Sequence, residues 1–268
     1  MNYPPAPASG RGGHFHQHPV FKTVFLIVAG ISALLPNQSS AVVIPIGASK
    51  DSSLYQDPFG ALSNGSGPTF FAGATGGGGI RRGLIEFDLS AIPSGVTIDS
   101  VTLDLFLVQA QPFASEVKLH EVLTEWGEGA SSAGNRGGGG AIAKANDATW
   151  LHTFFNVATW TNPGGDFAAV ASASTLVGSE GVTYRWPSTP GLVADVQGWL
   201  DAPATNHGWL LHGDESQSGT AKAFGTRENS DIAVRPLLTV TFSPVPEPGA
   251  FVSLLGGMGM LLLFRRRV

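Results

Sequence analysis

The chain has 268 residues, a formal net charge of −5, 36 glycines and no cysteine. Only 13% of its residues are charged, about half of the roughly 25% that soluble globular domains usually carry. The lack of cysteine excludes a zinc–thiolate site and a cysteine nucleophile. Because the net charge is negative, the sequence offers no basic surface, and we expect no nucleic acid partner.

An apolar run near the start, VFKTVFLIVAGISALL, covers residues 20–35 and contains Lys22 as its one charge. The run is shorter than the ~20 residues of a typical membrane span. Ser39 and Ala41 are small residues at the −3 and −1 positions that a signal peptidase requires. Residues 1–41 are therefore predicted to be a secretory signal region that contains the signal helix and is cut after Ala41. A buried N-terminal helix is the alternative.

Residues 42–243 are long enough for one large β domain, and a core of that size does not need disulfides. Five segments are predicted to be strands, residues 83–89, 98–108, 117–122, 208–212 and 236–242, and in most of them apolar residues alternate with polar ones. In the second segment this period of two places Val101, Leu103, Leu105 and Leu107 on one face. Turn-forming residues separate the segments, and the glycine runs at residues 76–79 and 137–140 are predicted to be flexible loops.

One segment has helical spacing instead. The spacing is that of a short helix for five apolar residues, Leu192, Val193, Val196, Trp199 and Leu200. Asp201 and Pro203 would end this helix. We therefore predict an all-β fold, an antiparallel jelly roll or β-sandwich, with this single short helix crossing one end.

The chain contains six tryptophans, and a sugar ring packs its apolar C–H face on such aromatic rings. Trp126, Trp150 and Trp160 lie in polar, glycine-rich or loop-like stretches, so they are the candidate glycan-binding residues. Trp199 and Trp209 lie within apolar patterns and are predicted to be core residues. Packing inside the domain is the alternative for all six.

Asp166 follows two glycines and is the candidate metal ligand, because calcium prefers carboxylate and backbone oxygens in loops. Asp147 and Glu128 are candidates to assist it. The spacing D-x-D-x-D-G does not occur, and a carboxylate that stabilises a turn is the alternative. Calcium is the one cofactor that the sequence suggests.

Catalytic patterns are sparse in this sequence. Glu125 and Glu128 are a conceivable hydrolase pair, as two glutamates in any loop would be. No H-E-x-x-H or G-x-S-x-G motif is present. Four histidines are scattered along the domain: His120, His152, His207 and His212. We expect no catalytic residues and a non-enzymatic protein.

The last 24 residues are VPEPGAFVSLLGGMGMLLLFRRRV. Their apolar run, residues 250–264, would extend about 22 Å as a helix, which is short of a ~30 Å hydrocarbon core. The arginines that follow would stay in the cytoplasm and leave the domain outside. Residues 244–268 are thus predicted to form a short transmembrane helix that anchors the chain temporarily. A permanent anchor is the alternative.

In their order, the three parts of this tail resemble the PEP-CTERM sorting signal of Gram-negative bacteria. The matching residues are Pro246, Glu247 and Pro248, then the apolar run, then Arg265, Arg266 and Arg267. The resemblance implies an exosortase, a membrane transpeptidase-like enzyme that cuts near the Pro-Glu-Pro motif and releases the protein or transfers it to the surface. Such proteins usually accompany exopolysaccharide production.

A second resemblance covers roughly residues 48–242. The stretch RGLIEFDLSAIPSGVTIDSVTLDL, which begins at Arg82, looks like the signature of the DNRLRE-type domain. Weaker matches follow in the family's order at residues 124–128, 148–150, 160–166, 195–200, 224–228 and 235–237. The resemblance implies a jelly roll similar to the carbohydrate-binding modules of secreted bacterial proteins.

These observations predict an exported surface or extracellular-matrix protein whose β domain, residues 42–243, binds exopolysaccharide without catalysis. The expected partners are signal peptidase and exosortase during export, the inner membrane transiently, and exopolysaccharide at the final location. One alternative is a polysaccharide-active lyase or glycosidase, which three tyrosines and a negative charge disfavour for an acidic polymer. The other is an architectural matrix protein without a ligand.

Overall fold

A computed structural model describes residues 40–111, 113–134 and 137–243. This part of the chain is mostly β with one α-helix, which confirms the predicted fold class at that level. Within it, no helix has the length and apolar character needed to cross a membrane. The predicted signal helix and the sorting signal, with Pro246, Glu247, Pro248 and the three arginines, lie outside the described residues.

The strands and the helix follow one another along the described chain. The strands are β1 (Val42–Tyr55), β2 (Leu62–Ser63), β3 (Thr69–Ala74), β4 (Ile80–Phe87), β5 (Thr97–Ala110), β6 (Ser115–Glu121), β7 (Ala141–Ile142), β8 (His152–Phe154), β9 (Ala158–Thr159), β10 (Ala173–Val177), β11 (Thr183–Trp186), β12 (Trp209–His212), β13 (Lys222–Gly225) and β14 (Leu237–Ser243). The helix is α1 (Pro190–Asp201), and short 3₁₀ turns lie at Pro203–Thr205 and Ile232–Val234.

Six antiparallel strands close into a barrel in the order β1, β14, β5, β13, β3 and β4, because β4 pairs again with β1. Two long strands make this closure possible by changing partners along their length. β1 pairs with β14 as far as Gly47 and with β4 from Ala48 onward, and its register with β4 shifts between Ala48 and Lys50. β5 pairs with β14 and then with β13, where the register shifts again. Bulges bend strands in this way, so the pairing closes a ring where two separate sheets were expected.

Further strands extend the barrel on one side. β12 pairs with β4, β6 with β12, and β10 with β6, while β11 pairs with β5. Two short pairs, β2 with β7 and β8 with β9, lie apart from this sheet.

A large hydrophobic cluster, here called the main core, fills the space between the barrel strands and α1. The predicted alternation in β5 is confirmed, because Val101, Leu103, Leu105 and Leu107 are all fully buried. The helix begins at Pro190 after Thr189, whose hydroxyl accepts a hydrogen bond from the Leu192 amide at 3.1 Å. It buries four residues against the main core: Leu192, Val196, Trp199 and Leu200.

A second cluster lies on the opposite face of part of the same sheet. Leu54, Leu84 and Leu210 project from β1, β4 and β12, and three tryptophans cover them: Trp126, Trp150 and Trp160. These tryptophans belong to residues 123–172, here called the cover segment, which runs from the end of β6 to the start of β10. The sheet is therefore buried on both faces at this position.

Candidate carboxylate site

The structure places the three candidate glycan-binding tryptophans in the second cluster. Trp126, Trp150 and Trp160 are only 1%, 8% and 5% exposed. The indole nitrogens of Trp126 and Trp160 donate to the carbonyl oxygens of His207 and Thr149, each at 2.9 Å. In this structure none of the three rings presents a face to solvent, and their positions match the packing alternative.

Cations already lie over two of these rings. The Lys50 ammonium is 4.5 Å from the centroid of the Trp126 ring, and the Arg82 guanidinium is 4.9 Å from that of Trp150. Such contacts stabilise a buried aromatic ring and fix the cation at the same time. The rings thus join the cover segment to β1 and β4.

Asp166, the candidate metal ligand, stabilises a turn. Its carboxylate accepts hydrogen bonds from the Thr161 amide at 2.7 Å, the Asn162 amide at 2.9 Å and the Asn162 side chain at 3.0 Å. Burial alone would raise the pKa of Asp166, but these hydrogen bonds lower it. Asp147 has a similar role, because it accepts hydrogen bonds from the amides of Ser131 and Lys144.

Glu128, the third residue of that predicted set, belongs to a different group. One carboxylate oxygen each from Asp51, Glu128 and Glu228 lies within 4.8 Å of the others. We call these three residues the carboxylate site. Asp51 lies on β1, Glu128 in the cover segment, and Glu228 in the loop after β13, so the site joins three distant parts of the chain.

Arg227 holds part of the carboxylate site in place. Its side chain donates to both oxygens of Glu128, with the first bond at 2.7 Å, and its Nη2 is 2.8 Å from Glu228 Oε1. Its backbone amide donates to Asp51 Oδ2 at 2.8 Å. The Asp51 amide donates to Glu128 Oε1 at 2.9 Å. Hydrogen bonding to Glu128, more than any other factor, raises the pKa of Arg227.

Two carboxylate oxygens of the site are buried without a hydrogen-bond partner among the described residues. They are Asp51 Oδ1 and Glu228 Oε2, and Asp51 is fully buried. Burial and then the negative charge of Glu228 hold the pKa of Asp51 well above its usual range. Burial and then Glu128 raise the pKa of Glu228. The site thus concentrates negative charge that Arg227 balances only in part.

Two glycines allow the cover segment to reach this site. A Cβ on Gly65 would lie 1.6 Å from the carbonyl oxygen of Glu128, so no other residue fits there without movement of the backbone. Gly129 has a φ of +70°, and a Cβ on it would lie 1.8 Å from Asp147 Oδ1. The close approach of these loops sets the position of the Glu128 carboxylate.

A second polar group lies at the surface of β6 and β12. The rings of His120 and His212, which are far apart in the sequence, are 5.8 Å apart. Glu215 Oε1 is 3.4 Å from His212 Nε2 and 2.7 Å from Arg82 Nε. A groove of about 400 Å³ beside them is lined by Glu116, Lys118, His212, Gly213, Asp214, Glu215 and Ser216.

Sequence reasoning identified Glu128 but not Asp51 or Glu228 as part of one site. Glu228 lies in residues 224–228, one of the segments that resemble the DNRLRE-type domain. This resemblance is the one sequence feature that could have singled out Glu228. Comparison of the chain with known protein families and with curated proteins finds no match.

Proposed function

We propose that this chain is an exported surface or extracellular-matrix protein that an exosortase sorts through its C-terminal signal. One structural observation supports the proposal more than any other. β1 begins at Val42, directly after the predicted signal cleavage at Ala41, and β14 ends at Ser243, before the Pro-Glu-Pro motif. Val42 and Phe242 are paired neighbours in the barrel. Both proposed cuts therefore leave the terminal strands of the barrel whole.

We further propose that the body is a DNRLRE-type jelly roll of the carbohydrate-binding kind. The mostly-β architecture supports this assignment. So does the position of one motif segment, since residues 195–200, which resemble the family's short helix, lie in α1. In this proposal the domain is not an enzyme.

The ligand in this proposal is an exopolysaccharide. Because the three tryptophans are covered, we assign binding to the groove beside β6 and β12. Lys118 and Asp214 offer a cation and a carboxylate there for sugar hydroxyls and acidic groups, and nearly half of the Lys118 side chain is exposed. Polar groups that converge in a concave surface are the usual basis of such specificity.

Intact mass measurement tests the sorting half. The full chain is expressed with an exosortase in a Gram-negative host that makes exopolysaccharide, and the protein is recovered from the cell surface and medium. We expect a product that begins at Val42 and ends near residues 246–248. The matched control replaces Pro246, Glu247 and Pro248 by alanine, and this variant should stay in the membrane fraction uncut. Recovery of surface protein that still ends in Arg265–Arg267 would contradict exosortase sorting.

Co-sedimentation with the polysaccharide of the same host tests the ligand half. We expect the wild-type protein to sediment with the polymer and the double variant Lys118→Ala, Asp214→Ala to remain in the supernatant. Arg185→Ala, a change at an exposed residue on β11, is the control for non-specific effects. If wild-type protein that is correctly folded does not sediment, the domain is architectural. If it shortens the polymer, the domain is an enzyme.

A further inference from the structure

The carboxylate site places charge where the strand pattern calls for an apolar residue. Asp51 pairs directly with Ile85 of β4, and Ile85 in turn pairs with Trp209 of β12. Directly opposed residues share one face of a sheet, and Ile85 and Trp209 belong to the main core. A fully buried carboxylate at such a position is costly unless something binds it.

The charges at the site do not balance. Asp51, Glu128 and Glu228 carry three negative charges when ionised, and Arg227 supplies one positive charge. Arg227 is already committed to the two glutamates, because its Nε donates to Glu128 and its Nη2 contacts both Glu128 and Glu228. When all three are ionised, Arg227 leaves two negative charges that it does not balance, and one of the three carboxylates, Asp51, is fully buried.

The oxygens that lack partners belong to this same group. Asp51 Oδ1 and Glu228 Oε2 are buried and accept no hydrogen bond from the described residues. Buried polar atoms in folded proteins nearly always have a partner, and a bound ion is one of the recognised explanations for an exception. Asp51 meets this condition most clearly, since its side chain is completely enclosed and its carboxylate belongs to the group within 4.8 Å.

We propose that Asp51, Glu128 and Glu228 bind one divalent cation, and that the cation is calcium. Calcium is a hard ion that takes carboxylate oxygens at about 2.3–2.6 Å, so ligand atoms on opposite sides of one ion lie about 5 Å apart. The three oxygens lie within 4.8 Å of one another, which is close enough for one ion to contact all of them. Two positive charges would neutralise the excess, and the unpaired oxygens would gain their missing partner.

The cation would join three segments that are far apart in the sequence. Asp51 lies on a barrel strand, Glu128 on the cover segment, and Glu228 on the loop between β13 and β14. Glu128 is the ligand that Arg227 already orients, whereas Asp51 and Glu228 are the ligands with free oxygens. Calcium would therefore fasten the cover segment to the barrel, a role independent of any polysaccharide bound elsewhere.

Thermal unfolding of the full chain in neutral detergent tests this proposal. The protein is stripped with a chelator, and calcium, magnesium or sodium chloride at matched ionic strength is then added. We expect the melting temperature to rise by about 5–10 °C at a hundredfold excess of calcium over its dissociation constant. Elemental analysis after dialysis should find one calcium per chain.

Isosteric variants locate the site. Asp51→Asn retains an oxygen for the Arg227 amide, and Glu228→Gln is a second variant that does not alter the barrel strand. Each should lose the calcium-dependent shift and the bound calcium. Asp166→Asn, a change at the turn carboxylate, should keep both.

Three results would overturn the proposal. The first is wild-type protein that neither retains calcium nor changes its melting temperature. The second is calcium binding that both Asp51→Asn and Glu228→Gln preserve, which would indicate an adventitious ion elsewhere. The third is a response to magnesium and not to calcium, which would contradict the assigned ion.

Discussion

The main core and the second cluster both contain buried tryptophans. Regular strands and a helix supply those of the main core, whereas a mostly irregular segment supplies those of the second cluster. In the main core, Trp209 comes from β12 and packs on Trp199 of α1, with ring centroids 4.6 Å apart. In the second cluster, Trp126, Trp150 and Trp160 all come from the cover segment, whose longest strand has three residues. Regular elements enclose the first region, and a long, mostly irregular segment encloses the second.

The difference shows how a tryptophan in a polar, glycine-rich stretch can be a packing residue. An antiparallel sheet often leaves one face to solvent, but β1, β4 and β12 contribute buried apolar residues to both clusters. The continuous apolar run Trp209-Leu210-Leu211 is the sequence signal of such a strand, and all three residues are fully buried. A sheet of this kind needs a cover, and the tryptophans supply it.

The largest expected effect is a loss of stability on removing a tryptophan ring, and the mode of unfolding should differ between the two regions. Trp209→Ala removes a ring from the main core and should lower the free energy of unfolding by about 3–5 kcal/mol in one global transition. Trp160→Ala should instead open the cover segment locally, because its ring belongs to the second cluster. Urea titration measures the first effect, and limited proteolysis with mass analysis measures the second.

Proteolytic cuts in Trp160→Ala should fall within residues 123–172 and leave the barrel strands intact. Wild-type protein treated at the same protease concentration is the control. If Trp160→Ala instead unfolds in a single step without earlier cleavage of the cover segment, the two clusters are one cooperative unit and the contrast between them fails.

A smaller effect should distinguish the ion pairs of the two regions. Arg82 ties the cover segment to β4, because it donates to Glu215 at 2.7 and 2.9 Å and to the carbonyl of Gly164 at 2.9 Å. The side chains of Arg82 and Glu215 are each only 14% exposed, so Arg82→Gln would leave the Glu215 carboxylate without its partner and poorly solvated. We expect the free energy of unfolding to fall by about 2–4 kcal/mol.

The matched change lies on the surface of the barrel. Arg185 makes two equally short bonds to Asp104, but its side chain is 64% exposed. Arg185→Gln should therefore lower the free energy of unfolding by about 1 kcal/mol or less. Denaturant titration of both variants measures the difference, and equal losses would show that burial does not decide the value of these pairs.

Much of the barrel could be predicted from alternation alone. β5 and β14 are recognisable because each apolar residue sits two positions from the next, and α1 because its apolar spacing differs. The closure of the barrel could not be predicted, since it depends on bulges near Ala48 and within β5 where no residue type marks the change of partner. The glycine run at residues 137–140 was predicted to be a flexible loop, but it takes part in a buried contact. The Tyr55 hydroxyl donates a hydrogen bond to the Gly137 carbonyl oxygen at 2.6 Å.

The carboxylate site was harder to predict than the fold. Asp51, Glu128 and Glu228 are separated by at least 77 residues, and each one looks like an ordinary solvent-exposed acid. Only the pairing of β1 with β4 shows that Asp51 occupies a core position. Local spacing instead favoured Asp166, whose neighbours in the sequence satisfy its oxygens completely.

The smallest expected effect is on how the stability of the cover segment depends on pH. His120 of β6 lies against Phe167 of the cover segment, with ring centroids 5.2 Å apart. Burial, aided by the charges of Lys118 and Arg82, lowers the pKa of His120 despite its hydrogen bond to the Ala168 carbonyl. The unfolded chain therefore binds more protons than the folded one near pH 6, and stability should fall as the pH drops through about 6.5.

His120→Asn isolates this contribution, because an asparagine amide can still donate to the Ala168 carbonyl but does not titrate. We expect the stability of the variant to depend less on pH between about 5 and 7, the range in which histidine titrates. The dependence should not vanish, since burial lowers the pKa of His212 as well. Hydrogen exchange should show the wild-type cover segment opening at mild acidity before the barrel does. If both regions open together, or if the variant keeps the full pH dependence, His120 does not link protonation to the cover segment.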